Sequence, residues 1–310
     1  MINGAVACRW LALAWLAAAG TAGFAADLFK VATYNLENYV EGAEGQRPAK
    51  PPAAAAKVTQ ILCALNADVL ALQEIGTTNA LEGLRTALRA GGLDYPHWEH
   101  VAGHDTNIFV AVLSRFPIVG RRSHTNESFL LRGRRVPVSR GFAEVDVRVN
   151  DHYVFTLIVA HLKSRLATFN TDEAEWRYQE AVLLREKIDA RLETDADANL
   201  IVVGDFNDTK ASPSLRAILG RGRKGLVDTR PAEQDGGPKA IRGIRYADRN
   251  VTWTHFYAKE DSYSRIDYIL LSRGMAKEWL ADETYVLAVP DWGLASDHRP
   301  LVAAFVPEDR

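Results

Sequence analysis

The chain has 310 residues, 47% of them hydrophobic and 25% charged, with a formal net charge of −2. That length can bury one large core or two smaller ones, and the composition excludes disordered and fibrous classes. The near-neutral charge argues against bulk electrostatic capture of nucleic acid or anionic lipid, while allowing a local basic site.

Residues 1–26 read as a signal peptide. Arg9 is the only charge, Trp10 to Ala19 is apolar, and Gly23-Phe24-Ala25 offers small residues for cleavage after Ala25. The apolar stretch is shorter than the ~20 residues of a membrane helix, and no later segment reaches that length. Cleavage removes Cys8 and leaves Cys63 as the one thiol, so no internal disulfide forms. Cys63 falls among Val58, Ile61, Leu62 and Leu65 and reads as a small core residue.

From Asp27 onward apolar runs alternate with helical patterns. Phe29 to Tyr34 reads as a strand, Lys57–Asn66 as a helix, and Val69 to Gln73 as a short buried strand. Ala80 to Ala90 reads as a helix stopped by Gly91-Gly92, and Ile108 to Leu113 as a strand. Residues 142–149 and 153–160 form a predicted hairpin across Asn150-Asp151-His152. Asn170 with Glu173 fits a capping box ahead of a helix whose Tyr178, Ala181, Leu184, Ile188 and Leu192 recur at helical spacing. Leu200 to Val203 is an apolar strand, and Ser212 to Leu219 a short helix. Asp228 to Asn250 reads as a long surface loop. Strands are predicted at Val251–Thr254, Ile266–Leu271 and Leu301–Val306. Strands buried on both faces, joined by helices and hairpins, predict an α/β chain with a mixed sheet system, as one domain over 27–310.

Polar residues gather where these strands end, the place where open sheets bind ligands. They are Asn35, Glu37, Glu74, His161, Lys163, Asp205, Asn207, Asp267, and the pair Asp297-His298. Singly, Glu74 could cap a helix, and Asp205 and Asn207 could form a turn. Asp267, embedded in an apolar run, needs a buried partner. Carboxylate and amide oxygens without a Cys/His cluster suit a hard cation, Mg²⁺, Mn²⁺ or Ca²⁺. Beside histidine and amide donors, such a cation suits attack of water on a phosphate ester. The sequence lacks a Gly-x-x-x-x-Gly-Lys phosphate loop and a serine elbow.

Six motifs, in order, carry a resemblance: Thr33-Tyr34-Asn35-Leu36-Glu37-Asn38, Leu72-Gln73-Glu74, Ala160-His161-Leu162-Lys163-Ser164, Gly204-Asp205-Phe206-Asn207, Arg265-Ile266-Asp267-Tyr268 and Ser296-Asp297-His298-Arg299-Pro300. With them the chain resembles the endonuclease/exonuclease/phosphatase superfamily, metal-dependent phosphoesterases that include pancreatic-type deoxyribonucleases, abasic-site endonucleases, inositol polyphosphate phosphatases and neutral sphingomyelinases. The resemblance implies a four-layer α/β sandwich, two mixed β-sheets face to face with helices outside. It implies that Glu74 ligates the metal, Mg²⁺ first, with help from Asn35 and Asp297. Asp205 would orient or activate the water, Asn207 would hold the phosphate, and His161 would donate to the phosphate or leaving group. His298, oriented by Asp267, would be the principal acid/base or phosphate contact. The identity of the water's base, and one metal or two, stay open at this point.

For the substrate, Arg132, Arg134, Arg135 and Arg140 form one basic cluster, and Arg242, Arg245 and Arg249 a second. Lining the site with Lys163, they would give a polyanion track, and Trp253 could stack on a base or sugar. As solvated surface and core tryptophan they would do neither. The expectation is an exported phosphodiesterase, a nuclease first, periplasmic or extracellular, monomeric and without stable membrane insertion. The alternatives are an enzyme of inositol phosphates or phospholipid headgroups, and a non-catalytic binding protein. The lack of a disulfide departs from secreted deoxyribonuclease-like members.

Overall fold

The computed structural model describes residues 28–43, 47–166, 172–234 and 252–310. The predicted signal peptide, Asn170, and the second arginine cluster lie outside these residues. Described elements run β1 (Phe29–Tyr39), α1 (Pro52–Leu65), β2 (Val69–Ile75), α2 (Thr78–Ala90), β3 (His97–Val101), β4 (Phe109–Ser114) and β5 (Ile118–Arg121). A hairpin, β6 (Ser128–Leu131) and β7 (Arg134–Pro137), leads to β8 (Ala143–Asn150), β9 (Tyr153–His161) and α3 (Glu173–Thr194). Then come β10 (Leu200–Asp205), α4 (Pro213–Leu219), β11 (Val227–Asp228), β12 (Ala232–Glu233), β13 (His255–Tyr257) and β14 (Ser262–Ser264). The chain ends with β15 (Asp267–Leu271), α5 (Met275–Glu278), β16 (Trp279–Val286) and β17 (Leu301–Phe305).

Two mixed sheets result, ordered β12-β16-β17-β1-β2-β4-β3 and β11-β15-β10-β9-β8-β5. Their facing sides share one apolar cluster, with Phe29, Val31, Val69, Ala71 and Val112 from one sheet. Val145, Phe155, Leu157, Val203 and Ile269 come from the other. The outer face of the first sheet packs on Val58, Ile61, Leu62 of α1 and Leu81, Leu84, Leu88 of α2. The second packs on Ala181, Leu184, Ile188 of α3 and Leu215, Ile218 of α4. This is the four-layer sandwich. Strands buried on both faces are what continuous apolar runs such as Leu200 to Val203 demand.

Several elements differ from expectation. The predicted strand at Val251–Thr254 is absent among the described residues 252–254, and pairing begins instead at His255, opposite Ser264. Thr254 gives its N–H to the Ser264 carbonyl at 3.0 Å, while its own carbonyl accepts the Arg299 N–H at 2.7 Å. The cap of α3 is Asp172, which accepts from the Glu175 N–H at 3.1 Å. Tyr178 is half-buried, while Arg177 and Glu180 take the buried positions at that end of α3. Cys63 is half-buried at the rim of the α1–α2 layer, and partial burial raises its thiol pKa. The first arginine cluster is largely the β6–β7 hairpin.

Register puts the site together. Parallel pairing of β9 and β10 sets His161 beside Asp205, and antiparallel pairing of β10 and β15 sets Asp205 beside Asp267. Gly204 has φ +136°, and a Cβ there would stand 1.9 Å from the Ala160 carbonyl oxygen, so only glycine fits between β9 and β10. In the other sheet Asn35 pairs with Gln73, and the register shifts at Glu74. β17 runs antiparallel to β1 with Leu301 opposite Thr33, which brings Asp297-His298 to the same end.

Candidate active site

Asn35 is the bridge between the sheets. Its amide nitrogen donates to Glu74 Oε1 at 3.2 Å and to Asp205 Oδ2 at 3.0 Å. Its oxygen accepts the Glu37 N–H at 2.9 Å. Glu74 also accepts from the Asn38 N–H at 2.9 Å. The price is a left-handed backbone at three non-glycine residues, Glu37, Asn38 and Glu74, with φ of +47°, +51° and +60°.

Across the cleft His298 Nδ1 lies 2.9 Å from Asp267 Oδ2, which also accepts from Thr254 Oγ1 at 2.6 Å. Ser296 locks the loop: its hydroxyl donates to the Asn35 carbonyl at 2.8 Å and accepts the His298 N–H at 3.0 Å. With Nδ1 so engaged, His298 Nε2 faces Asp205 Oδ2 at 3.7 Å and Asp297 Oδ1 at 3.8 Å. His161 Nε2 stands 3.5 Å from Asp205 and 3.8 Å from Glu74, and its Nδ1 is buried without a partner. Asn207, at φ +51°, gives its N–H to Asp205 Oδ1 at 2.8 Å and its amide nitrogen to Asp205 and the Leu162 carbonyl.

Burial governs the protonation states. It lowers His161 far below the ordinary histidine value, helped by Arg140, His298 and Arg47, so this imidazole is neutral. Burial, with Asp267 next to it, raises Asp205 to about 7, against the pull of His298 and the Asn207 and Asn35 hydrogen bonds. Burial alone would lower His298, but Asp267, Asp205 and Asp297 hold it up at about 10, a standing imidazolium. Glu37 is raised by burial and by Asp297 and Glu74, with Lys50 opposing.

Glu37, Glu74 and Asp297 therefore crowd negative charge at one side of the site, with Glu74 partly open and Asp297 41% exposed at its side chain. An all-oxygen set with excess negative charge fits a hard divalent cation. Asn35, with its oxygen turned to Glu37, positions Glu74 in this arrangement.

All eight predicted catalytic and metal residues meet here. The four substrate candidates separate. Arg140 is buried beside the site, 3.4 Å from the Leu162 carbonyl and 3.5 Å from Asp105, with Nε unpartnered. Trp253 is half-buried against Tyr263 and Trp292, with the Arg299 guanidinium 4.3 Å above its ring. The Lys163 amine lies 5.2 Å over Trp176, and Arg134 is exposed on β7. Sequence reasoning missed Glu180, a fully buried carboxylate on α3. It accepts the Ser139 and Lys163 N–H groups at 2.7 and 2.6 Å and Trp176 Nε1 at 2.9 Å. Arg177 beside it pairs with Asp208 at 3.0 Å, so one helix end holds the loops after β9 and β10. The signal was present as charges at positions that continue α3's apolar period toward its N-terminus. His255, discussed below, was also missed.

The sequence model of the Endonuclease/Exonuclease/phosphatase family matches residues 32–298. Among solved structures, the human Nocturnin catalytic domain is similar at 17% identity and a TM-score of 0.63, covering 90% of this chain and 94% of that one. Sphingomyelinase C from Streptomyces griseocarneus is similar at 20% identity and 0.60, covering 90% and 99%. Truncated Caenorhabditis elegans TDP2 is similar at 14% and 0.58, covering 90% and 97%. At these identities the likeness is one of fold. No match was found among curated proteins.

Proposed function

Since the chain belongs to the endonuclease/exonuclease/phosphatase family, whose members are hydrolases acting on phosphate ester bonds, we propose that it is a divalent-cation-dependent phosphodiesterase, and that its ester is that of a nucleic acid. The observation that carries the reading is the opposition of two groups across one cleft: a charged imidazole, His298 on Asp267, and a carboxylate poised near neutrality, Asp205. That pairing supplies one group to take a proton and one to hold negative charge.

In this reading a hard cation such as Mg²⁺, held by Glu74 with Asp297 and Glu37, polarises the phosphoryl oxygens when bound. Asp205 accepts the proton of the attacking water, kept in aim by Asn207 and Asn35. His298 meets the negative charge that spreads over the phosphate, and Asp267 fixes its orientation. Neutral His161 has a ring N–H to offer the leaving oxygen. Arg140, with an unpartnered Nε, adds positive charge on the His161 side. A nuclease reading is supported by Arg140 and by the arginines of the β6–β7 hairpin. A phospholipid reading is favoured by Tyr263, 56% exposed and against Trp253, and by Leu294, 54% exposed in the turn whose Trp292 packs on Trp253. Among the described residues no helix is long and apolar enough to cross a membrane.

The test is hydrolysis of plasmid DNA, RNA, bis-p-nitrophenyl phosphate, sphingomyelin and inositol phosphates side by side, with Mg²⁺ and with chelator. Cleavage of DNA or RNA that chelator abolishes is expected. Activity confined to lipid or inositol esters overturns the nucleic-acid half, and none on any ester overturns the enzyme. Export through residues 1–26 is part of the proposal, and the intact mass of the secreted protein should begin at Ala26.

A further inference from the structure

His255 has no place in the chemistry above, yet it is built into the cleft wall. The residue is only 9% exposed. Its Nδ1 is buried without a hydrogen-bond partner. Its Nε2 points to Asp297 Oδ2 at 3.4 Å, beyond the usual 2.7–3.2 Å of an N–H···O bond. A buried imidazole left this way is costly unless something else uses it.

Its position is fixed by backbone. His255 and His298 form an antiparallel bridge, flanked by Phe256 N–H to the Asp297 carbonyl at 3.0 Å and Arg299 N–H to the Thr254 carbonyl at 2.7 Å. The rings consequently stand 4.6 Å apart, centroid to centroid. One ligand atom from each of His255, Asp297 and His298 falls within 4.8 Å of the others. The closest spacings, 3.4 Å from His255 to Asp297 Oδ2 and 3.8 Å from His298 to Asp297 Oδ1, put one imidazole beside each carboxylate oxygen and suit co-ligands better than hydrogen-bond partners. Two ligands ~2.1 Å from a tetrahedral ion stand about 3.4 Å apart. The other nitrogen of His298 is held by Asp267, the carboxylate–histidine arrangement that orients metal-bound imidazoles. Asp297 is open to solvent, which gives an entry path.

We propose that His255, Asp297 and His298 form a second ion position, sharing Asp297 with the oxygen set at Glu74 but not Glu74 itself, and that it takes a borderline transition ion, Zn²⁺ above all. Two imidazole nitrogens and one carboxylate leave a fourth position open and favour zinc over Mg²⁺, which prefers oxygen. The ion takes His298 Nε2, the atom the proposed reaction turns toward phosphate, and releases the proton that nitrogen carries to solvent, so its binding switches hydrolysis off. That consequence, unlike the site itself, rests on the proposed function.

The test is calorimetric titration of the full chain with Zn²⁺ in the absence of Mg²⁺, with Co²⁺ absorption reporting the ligand geometry. Wild type, His255→Asn, His255→Gln and Glu74→Gln are compared, each first shown to be folded by its melting curve. A single zinc per chain is expected, weakened roughly tenfold or more in the folded His255 variants and unchanged in Glu74→Gln. The zinc concentration that halves Mg²⁺-supported diester hydrolysis should rise by the same factor in the His255 variants, whatever their zinc-free rate. Zinc affinity indifferent to both His255 substitutions, or lost in Glu74→Gln, overturns the site. Intact His255-dependent binding in a protein that hydrolyses no ester sinks the functional reading alone.

Discussion

At the Phe29 end of β1 the two sheets meet through rings: Phe29 stacks across the sheets on Phe155 at 5.1 Å, and within its own sheet on Phe305 at 5.3 Å. At the other end of the same strand Asn35 is wedged between two carboxylates, and the neighbouring Glu37, Asn38 and Glu74 adopt left-handed backbone. The first end lowers the energy of the fold by burying apolar surface. The second raises it: Asp205 and Asp267 are buried side by side, and Asp267 Oδ1 and His161 Nδ1 are orphaned. The apolar end thus stabilises the frame that keeps the polar end in an unfavourable but reactive arrangement.

Substitution should separate the two ends. The largest effect is expected from Asp205→Asn, with hydrolysis falling roughly 10³- to 10⁴-fold while stability is kept or increased, since a buried like charge is gone. Its stability effect has a sign that pH reveals. The folded carboxyl of Asp205 is raised from 3.8 to about 7, so the folded state favours the proton and loses stability as pH rises through that window. The melting temperature of Asp205→Asn should therefore gain on wild type between those pH values in metal-free buffer. A gap that closes instead would contradict the strained-carboxylate account. His298, raised to about 10, contributes stability fully present below its ordinary 6.5 and lost as pH rises through 10.

Phe29→Ala should do the reverse. A loss of about 3–5 kcal/mol is expected from denaturant melts, with kcat per folded molecule little changed. A large fall in kcat would mean that the ring end is coupled to the cleft. Glu180→Gln lies between. It turns an amide N–H toward a backbone N–H in place of an acceptor, and should cost about 2–3 kcal/mol. It should also lower kcat/KM, because the loops at Ser139 and Lys163 lose their tie. The smallest effect belongs to Arg134→Ala, expected to leave kcat alone and reduce the salt slope of DNA cleavage by about one. An unchanged slope would remove the β6–β7 hairpin from the substrate path.

The apolar end was readable in the sequence because its information is local. Runs such as Leu200 to Val203 declare a strand wherever they occur, and site residues such as Glu74, His161 and Asp205 stand where such a run stops. The partners of those residues were not readable residue by residue: Asp205 meets Asn35 across 170 positions of sequence. Only the ordered set of motifs carried that pairing. Arg177 and Glu180 misled because buried charge at helical spacing looks like a polar face until both of its partners are known. His255 was hidden because the strand was predicted to close at Thr254, and the actual pairing begins one residue later, where a side chain turns toward Asp297. The short alternating β16 escaped because its Asp282 and Glu283 broke the apolar pattern.

Gly204 carries no group that could react, yet His161 and Asp205 are the next residues along the two strands that it lets approach. A methyl at 204 would act as a wedge, bearing on the Ala160 carbonyl and spreading His161 from Asp205. A mutational screen scored on turnover alone would rank this position with the reactive residues. It is a mechanical gauge, setting by its emptiness the width at which the cleft can work.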